Sequence, residues 1–227
     1  MGHQLPRDTF ITRLPERVRE AVLLRCRPVV FDPGQYLLRQ GDRDRRALVL
    51  LDGLVKIRVV DPSGFAAVLA VRRAGDIIGE LGALTGDPRT ASAQAATPVR
   101  AGAISGGDLI QFLAAHPVAV HELIRTQSRR LEWANQRRMD SAARPARWKV
   151  ARALSELVHE TDEKGAATPV HLSQRELASL VGVGLNTAEE ALRALAAMGL
   201  VNRRYRLIVV PDPARLRAFA EADSQNP

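Results

Sequence analysis

The sequence contains very little cysteine. Cys26 is the only one in 227 residues, so the chain cannot form an internal disulfide or hold a cysteine-ligated iron–sulfur cluster by itself. This lone cysteine is expected to be a helix residue near the core, with a redox sensor as the minor alternative. The sequence also has no metal-ligand spacing, no Walker-type loop and no Ser/His/Asp set in a supporting context. We therefore expect neither a metal site nor an enzyme.

Long apolar runs are absent as well. No stretch approaches the ~20 apolar residues needed to cross a bilayer, and the N-terminus MGHQLPRDTF has no apolar signal core. Hydrophobic residues make up 46% and charged residues 26% of the chain, which is typical of globular domains. The length is enough for two domains of ordinary size. These features predict a cytoplasmic protein with no membrane partner.

The net charge of +8 is concentrated in one part of the chain. Residues 125–152 contain nine Arg or Lys but only two acidic residues, whereas residues 146–227 contain 11 basic and 10 acidic residues. A basic run of this kind is either a solvated helix face or an electrostatic footprint for nucleic acid. The charge alone leaves both interpretations open.

The first half of the chain has the pattern of a small β domain. A helix is expected over Phe10–Leu24, broken at Pro15. Short runs rich in Val, Ile and Leu then alternate with glycine-bearing turns over residues 29–105, which predicts a β-barrel or jelly roll. After a break at His116-Pro117, a long helix is expected to run to about Ala143.

The long helix carries a periodic seam. Its members recur at steps of three and four and are Ile124, Ser128, Leu131, Asn135, Met139 and Ala142. This spacing predicts a surface for a partner helix. The same helix of a second subunit would make a two-fold dimer, and packing against the protomer's own β domain is the alternative. Pro145 predicts a hinge at about Ser141–Ala146.

The last third of the chain has the pattern of helix, turn, helix and hairpin. Ser173 and Glu176 have capping-box spacing before a helix over Gln174–Leu180. A glycine-bearing turn leads to a second helix that ends near Met198, and two strands are expected over residues 200–203 and 206–210. A polar loop is expected over Thr161–Thr168. The order predicts a winged helix-turn-helix, with an ordinary helical hairpin as the alternative.

The most informative stretch is Gly75–Ala93, which reads GDIIGELGALTGDPRTASA. Gly79 allows the backbone to approach a ligand closely, and Arg89 provides a planar set of donors suited to phosphate. Thr90 adds a hydroxyl group, and Glu80 adds an acceptor for a ribose hydroxyl. The stretch predicts a compact site for one phosphate joined to one sugar. The alternative is a glycine-bounded turn with an arginine exposed by chance.

From about Phe31 to Val210, these motifs resemble the cyclic-AMP receptor protein/FNR superfamily of transcription regulators. Gly-Glu-Leu, seven residues and Arg-Thr-Ala resemble the phosphate-binding cassette of cyclic-nucleotide-binding domains, and LSQRELASLVGV resembles the first helix and turn of the DNA-binding motif. The resemblance implies an α+β chain with a cyclic-nucleotide-binding β-roll over 1–117, a dimerisation helix over 118–143 and a winged helix-turn-helix over 144–227.

The resemblance also implies ligands and partners. Cyclic AMP is the expected ligand and cyclic GMP the second, with a site formed by Gly79, Glu80, Leu81, Arg89, Thr90, Asn135 and Leu69. The expected partners are a second subunit, double-stranded DNA and RNA polymerase. The expected DNA contacts are Arg175, Asn186, Thr187, Glu190, Arg193, Arg203 and Arg204, with Arg206 as a further phosphate contact.

Two positions depart from the family's pattern. Where the family has a Thr-Ser pair that contacts adenine, this chain has Ala134 and Asn135. Where the recognition helix has Arg, Glu and Arg, this chain has Leu185, Asn186 and Glu190, so the arginines that read guanine are missing. The leading hypothesis is a homodimeric regulator controlled by a cyclic nucleotide. The alternative is a nucleotide-binding or protein-interaction module whose helix-turn-helix no longer reads DNA.

Overall fold

A computed structural model of the chain describes residues 8–64, 66–159, 167–204 and 207–222, with the side chains of 140–143 and 159 left aside. The chain forms two compact units, Met1–Leu131 and Glu132–Pro227. Among the helices in the described part of the chain, none combines the length and apolar character that a bilayer crossing requires.

The first unit begins with two short helices, α1 (Phe10–Arg13) and α2 (Glu16–Leu24). They are separate because Pro15 supplies no N–H for a continuous helix, and this predicted break is confirmed. The prediction that Cys26 is a helix residue is wrong. The cysteine follows the end of α2, because the αR conformation is disfavoured for Arg27, which precedes Pro28 and begins the first strand.

Eight strands in the described part of this unit form two antiparallel sheets. Their orders are β1-β8-β3-β6 and β2-β7-β4-β5. The strands are β1 (Arg27–Phe31), β2 (Tyr36–Leu38), β3 (Arg46–Asp52), β4 (Leu54–Val60), β5 (Ala66–Arg73), β6 (Ile77–Ile78), β7 (Ser92–Ala95) and β8 (Val99–Ser105). This two-sheet arrangement agrees with the predicted jelly roll.

Strand β3 shows how the core is divided. Leu48 and Leu50 belong to the apolar cluster shared by the two sheets, whereas Ala47 and Val49 belong to a second cluster formed with the helices. Because alternate residues of a strand point to opposite faces, β3 is buried on both sides. Its continuous apolar sequence follows from this position.

Three helices complete the unit: α3 (Glu80–Thr85), α4 (Gly106–Ala115) and α5 (Pro117–Ala143). The side chain of Ser105 caps α4 by accepting a hydrogen bond from Asp108 N at 3.1 Å. Pro117 begins α5, a position where the missing N–H costs nothing. The predicted long helix and its break are thus confirmed, and its last residues, 132–143, belong to the second unit.

The second unit is a winged helix-turn-helix, as predicted. Its elements are α6 (Ala146–His159), β9 (Thr168–Val170), α7 (Gln174–Val181), α8 (Leu185–Ala197), β10 (Asn202–Arg204), β11 (Leu207–Val210) and α9 (Pro213–Ala222). Both halves of the predicted capping box are present at Ser173 and Glu176. Gly182, with φ 69°, ends α7 in the left-handed conformation that the turn requires.

Two elements of this unit were not predicted. Strand β9 joins the hairpin in a three-stranded sheet of order β10-β11-β9, so Thr168 is a strand residue and not part of the predicted polar loop. The rest of that loop, residues 161–166, lies outside the described residues. Helix α9 follows the hairpin. The carbonyl of Ala220 on this helix accepts a hydrogen bond from the indole of Trp148 at 2.8 Å.

Candidate functional site

The chain between β6 and β7 forms a turn that contains the short helix α3. Gly79 precedes α3 with φ 72°, a conformation that glycine adopts without strain. A Cβ at this residue would lie 2.5 Å from Leu38 Cδ1 and 2.9 Å from Arg89 Nη1. Gly79 is therefore required twice, for its backbone conformation and for the close approach of the Arg89 side chain.

Arg89 is held inside the turn. Its backbone N–H donates to Asp42 O and its carbonyl accepts from Gly41 N–H, both at 2.8 Å. The side chain is buried, with Nη1 donating to Gly79 O and Nη2 donating to Arg46 O. Burial lowers the pKa of Arg89, and the carboxylate of Asp44, 4.0 Å from Nη2, acts in the opposite direction.

One N–H of this guanidinium lacks an acceptor in the part of the chain that the structure describes. The Nε–H of Arg89 is buried and makes no hydrogen bond within the described residues. A buried unpaired donor costs about 1–3 kcal/mol, and an anionic ligand at the turn would supply the missing acceptor. The residues present therefore fit a phosphate group.

Glu80 connects this turn to α5. Its side chain is only 4% exposed, and Oε1 accepts hydrogen bonds from Gln127 Nε2 at 2.6 Å and Arg130 Nη1 at 2.8 Å. Arg130 Nη2 donates to Ile77 O at 2.7 Å. Sequence reasoning missed Gln127 and Arg130 as site residues. The signal available was their spacing of three on one helix, which places both on the same face.

The structure brings together Gly79, Glu80 and Arg89 but leaves the other predicted ligand contacts exposed. Leu69 on β5 is 45% exposed and Leu81 on α3 is 52% exposed, and the side chain of Thr90 is also exposed. Asn135 is exposed on the part of α5 that belongs to the second unit.

The predicted DNA contacts that lie within the described residues are exposed. On α8, Asn186, Glu190 and Arg193 follow one another at steps of four and three, so they share one face. Ala188, Leu192 and Leu195 bury the opposite face in the core of the unit. The other exposed contacts are Arg175 on α7, Thr187 on α8, and Arg203 and Arg204 on β10. Arg206 lies outside the described residues.

A cluster of tryptophan and charged residues joins the end of α5 to α6 within the second unit. Trp133 Nε1 donates to Glu156 Oε2 at 2.7 Å, and Arg152 Nε donates to Glu156 Oε1 at 3.0 Å. The guanidinium carbon of Arg137 lies 4.4 Å from the ring centre of Trp133, and that of Arg152 lies 5.1 Å from the ring centre of Trp148. Burial lowers the pKa of Arg137, and the carboxylate of Glu156 acts in the opposite direction. We call these five residues the tryptophan cluster.

Comparison with known proteins accounts for both units. Residues 28–116 match the family described as Cyclic nucleotide-binding domain, and residues 149–219 match the Crp-like helix-turn-helix domain. The CRP-like cAMP-activated global transcriptional regulator of Mycobacterium tuberculosis is 31% identical over 199 residues, covering 86% of this chain and 89% of the relative.

Solved structures agree with this assignment. The CRP/FNR family transcriptional regulator TTHA1359 from Thermus thermophilus has a TM-score of 0.68 at 29% identity, covering 87% of this chain and all of that one. The c-di-GMP responsive global regulator CLP of Xanthomonas campestris has a TM-score of 0.71 at 22% identity, covering 86% of this chain and 99% of that one, and this likeness shows the fold alone. The chain therefore belongs to the CRP/FNR family of transcription regulators, with a cyclic nucleotide-binding domain followed by a Crp-like helix-turn-helix domain.

Proposed function

We propose that the chain is a homodimeric transcription regulator that binds cyclic AMP in its β domain and DNA through α8. The observation that carries this proposal is the meeting of Gly79, Glu80 and the buried Arg89 in one turn, with Glu80 bonded to α5. Because α5 also carries the exposed apolar seam, a change at Glu80 acts on the helix proposed for dimerisation. Ligand then biases the dimer between two arrangements, of which one binds DNA better.

Each part of a cyclic nucleotide has a proposed partner in this chain. The phosphate is held by the unpaired Nε–H of Arg89 and by the N–H of Gly79. In a 3′,5′-cyclic nucleotide the 2′-hydroxyl is the only free ribose hydroxyl, and Glu80 accepts its proton in a hydrogen bond. The purine edge is left to Thr90 and Asn135, and the exposed apolar surface of Leu69 and Leu81 lies beside the site. Cyclic GMP is the second candidate, because a threonine also bonds the amino group of a guanine in the syn form.

Dimerisation is proposed through the seam of α5. Ile124 is 64% exposed, Leu131 63% and Met139 69% in the single chain. Their steps of seven and eight residues keep them on one side of a helix, and a second copy of the helix would cover them. Helix-turn-helix dimers bind half-sites one helical turn of DNA apart, or a multiple of it, and we propose that the two copies of α8 do the same.

The DNA contacts are proposed from the chemistry of the exposed side chains. Asn186 is the best candidate for a base contact, since Asn bonds adenine bidentately, and Thr187 and Arg193 lie within two turns of it on α8. Arg175, Arg203 and Arg204 are proposed to contact phosphates. A regulator that binds promoters in this way acts in the cytoplasm and has RNA polymerase as its further partner.

A second candidate function rests on the exposed Glu190. This carboxylate shares the outer face of α8 with Asn186, and it repels DNA phosphates at a place where the family has an arginine. A chain with this helix could bind nucleotide and a protein partner without reading DNA. Selection from random duplexes separates the two functions. Recovery of a two-fold symmetric site supports the regulator, and no enrichment by a folded dimer supports the interaction module.

Calorimetric titration of the purified protein tests the ligand. Cyclic AMP, cyclic GMP and cyclic di-GMP are titrated separately at one temperature and salt concentration. We expect cyclic AMP to bind most tightly, with one site per chain. If none of the three nucleotides binds, the proposed ligand class is wrong.

A further inference from the structure

Gln127 and Arg130 both bond the same oxygen of Glu80. The two donors reach Oε1 at 2.6 Å and 2.8 Å. Oε2 accepts no hydrogen bond from the described residues and is not fully buried. The carboxylate therefore has one oxygen committed to α5 and one oxygen available to a ligand.

This division of the two oxygens does not follow from Arg130 alone. A guanidinium normally bonds a carboxylate with two nitrogens and uses both oxygens. Here Arg130 Nη2 donates to the carbonyl of Ile77 at 2.7 Å and lies 3.9 Å from Asp76 Oδ1, and among the described residues Glu80 receives a bond from Nη1 alone. A single hydrogen bond does not fix the rotation of a carboxylate, because the terminal torsion of a glutamate is broad. The amide of Gln127 adds the second donor that fixes it.

We propose that Gln127 is a positioning residue that orients Glu80 so that Oε2 faces the ribose 2′-hydroxyl of the bound nucleotide. The inference rests on the proposed binding of cyclic AMP to this turn. Gln127 itself does not touch the ligand. It acts by holding Oε1 from the α5 side, and it carries no charge, so the pairing of Glu80 with Arg130 is preserved. The specificity that results is for ribose over deoxyribose.

The test compares cyclic AMP with 2′-deoxy-cyclic AMP, which lacks the hydroxyl that Glu80 would bond. Affinities of both nucleotides are measured by calorimetry for the parent protein, for Gln127→Ala and for Gln127→Met. Methionine keeps the length and the helix propensity of glutamine but has no donor. Gln111→Ala is the matched control, because Gln111 is an exposed glutamine on α4.

We expect the parent to prefer cyclic AMP and both Gln127 variants to lose most of that preference. Loss of one hydrogen bond to a charged group predicts a fall of roughly tenfold in cyclic AMP affinity, whereas the affinity for the deoxy nucleotide stays within about twofold. The Gln111 variant should behave as the parent. If Gln127 has a purely structural role, its substitution would lower the affinity for both nucleotides equally, and that result overturns the proposal. An unchanged preference for cyclic AMP also overturns it. A parent protein that binds neither nucleotide contradicts the proposed function itself and the inference with it.

Discussion

The Arg89→Ala substitution tests the phosphate site most directly. The change removes the buried guanidinium that lies against Gly79, together with its Nε–H, which is unpaired among the described residues. A charge-assisted hydrogen bond contributes about 1.5–3 kcal/mol, so cyclic AMP should bind roughly 10- to 150-fold more weakly. The loss should be in affinity, with one site per chain retained.

The same substitution also affects the free protein. Arg89 donates to the carbonyls of Gly79 and Arg46, and an unpaired buried carbonyl costs about 1–3 kcal/mol. Removal of the unpaired Nε–H and of a desolvated charge offsets part of this cost. The free energy of unfolding should therefore fall by an amount of the order of 1–3 kcal/mol, and titrations must be made well below the variant's melting temperature.

Calorimetry and denaturant unfolding are measured on the same preparations. Arg43→Ala is the matched control, because Arg43 is an exposed arginine in the loop before β3 and its removal changes the net charge equally. The control should bind cyclic AMP as the parent does. If folded Arg89→Ala binds within twofold of the parent, the phosphate does not lie at Arg89 and the assigned site is wrong.

Three further predictions concern the dimer, DNA and the single thiol. Leu131→Glu puts like charges face to face in the seam and should yield monomers in sedimentation, whereas Arg129→Glu, at an exposed neighbour, should leave the dimer intact. Asn186→Ala should relax the sequence preference at one base pair by about 1–3 kcal/mol. Arg203→Ala should weaken binding to all duplexes evenly and reduce the slope of log binding constant against log salt concentration by about one. The reverse pattern would contradict the assignment. Burial raises the pKa of Cys26 to about 11 from 9.0. The thiol therefore ionises more readily in the unfolded chain, and its contribution to the free energy of unfolding is complete below pH 9 and is lost as the pH rises towards 11. The parent should lose more stability than Cys26→Ala over that window, and equal losses would refute the shift.

The fold followed from the sequence where local chemistry decides the conformation. Glycine-bearing turns delimited the strands, Pro15 and Pro117 set helix boundaries, and the capping box at Ser173 located α7. These signals act over a few residues and need no tertiary information. Strand β9 was missed because three residues, Thr-Pro-Val, carry no periodicity and pair only with a distant strand.

The candidate site was predicted in its residue types but not in its connections. Gly79, Glu80 and Arg89 are close in sequence, and their spacing was sufficient to place them together. Gln127 lies 47 residues from Glu80, and Arg46 lies 43 residues from Arg89. Contacts of that range depend on how the sheets and α5 pack, which no local pattern encodes. The burial of the Cys26 thiol against Gly102 has the same origin, since a Cβ at Gly102 would lie 2.6 Å from Cys26 Cβ.

The tryptophan cluster gives the protein a built-in optical probe. The chain has only two tryptophans, and both belong to this cluster, one at the end of α5 and one on α6. Trp148 is 1% exposed, whereas the indole of Trp133 lies beside a carboxylate and a guanidinium, both of which alter its emission. Tryptophan fluorescence, excited at wavelengths where tyrosine does not absorb, therefore originates from the two sides of the break at Pro145. A change in the angle between α5 and α6 can be followed in real time, in the unlabelled protein, as nucleotide or DNA is added.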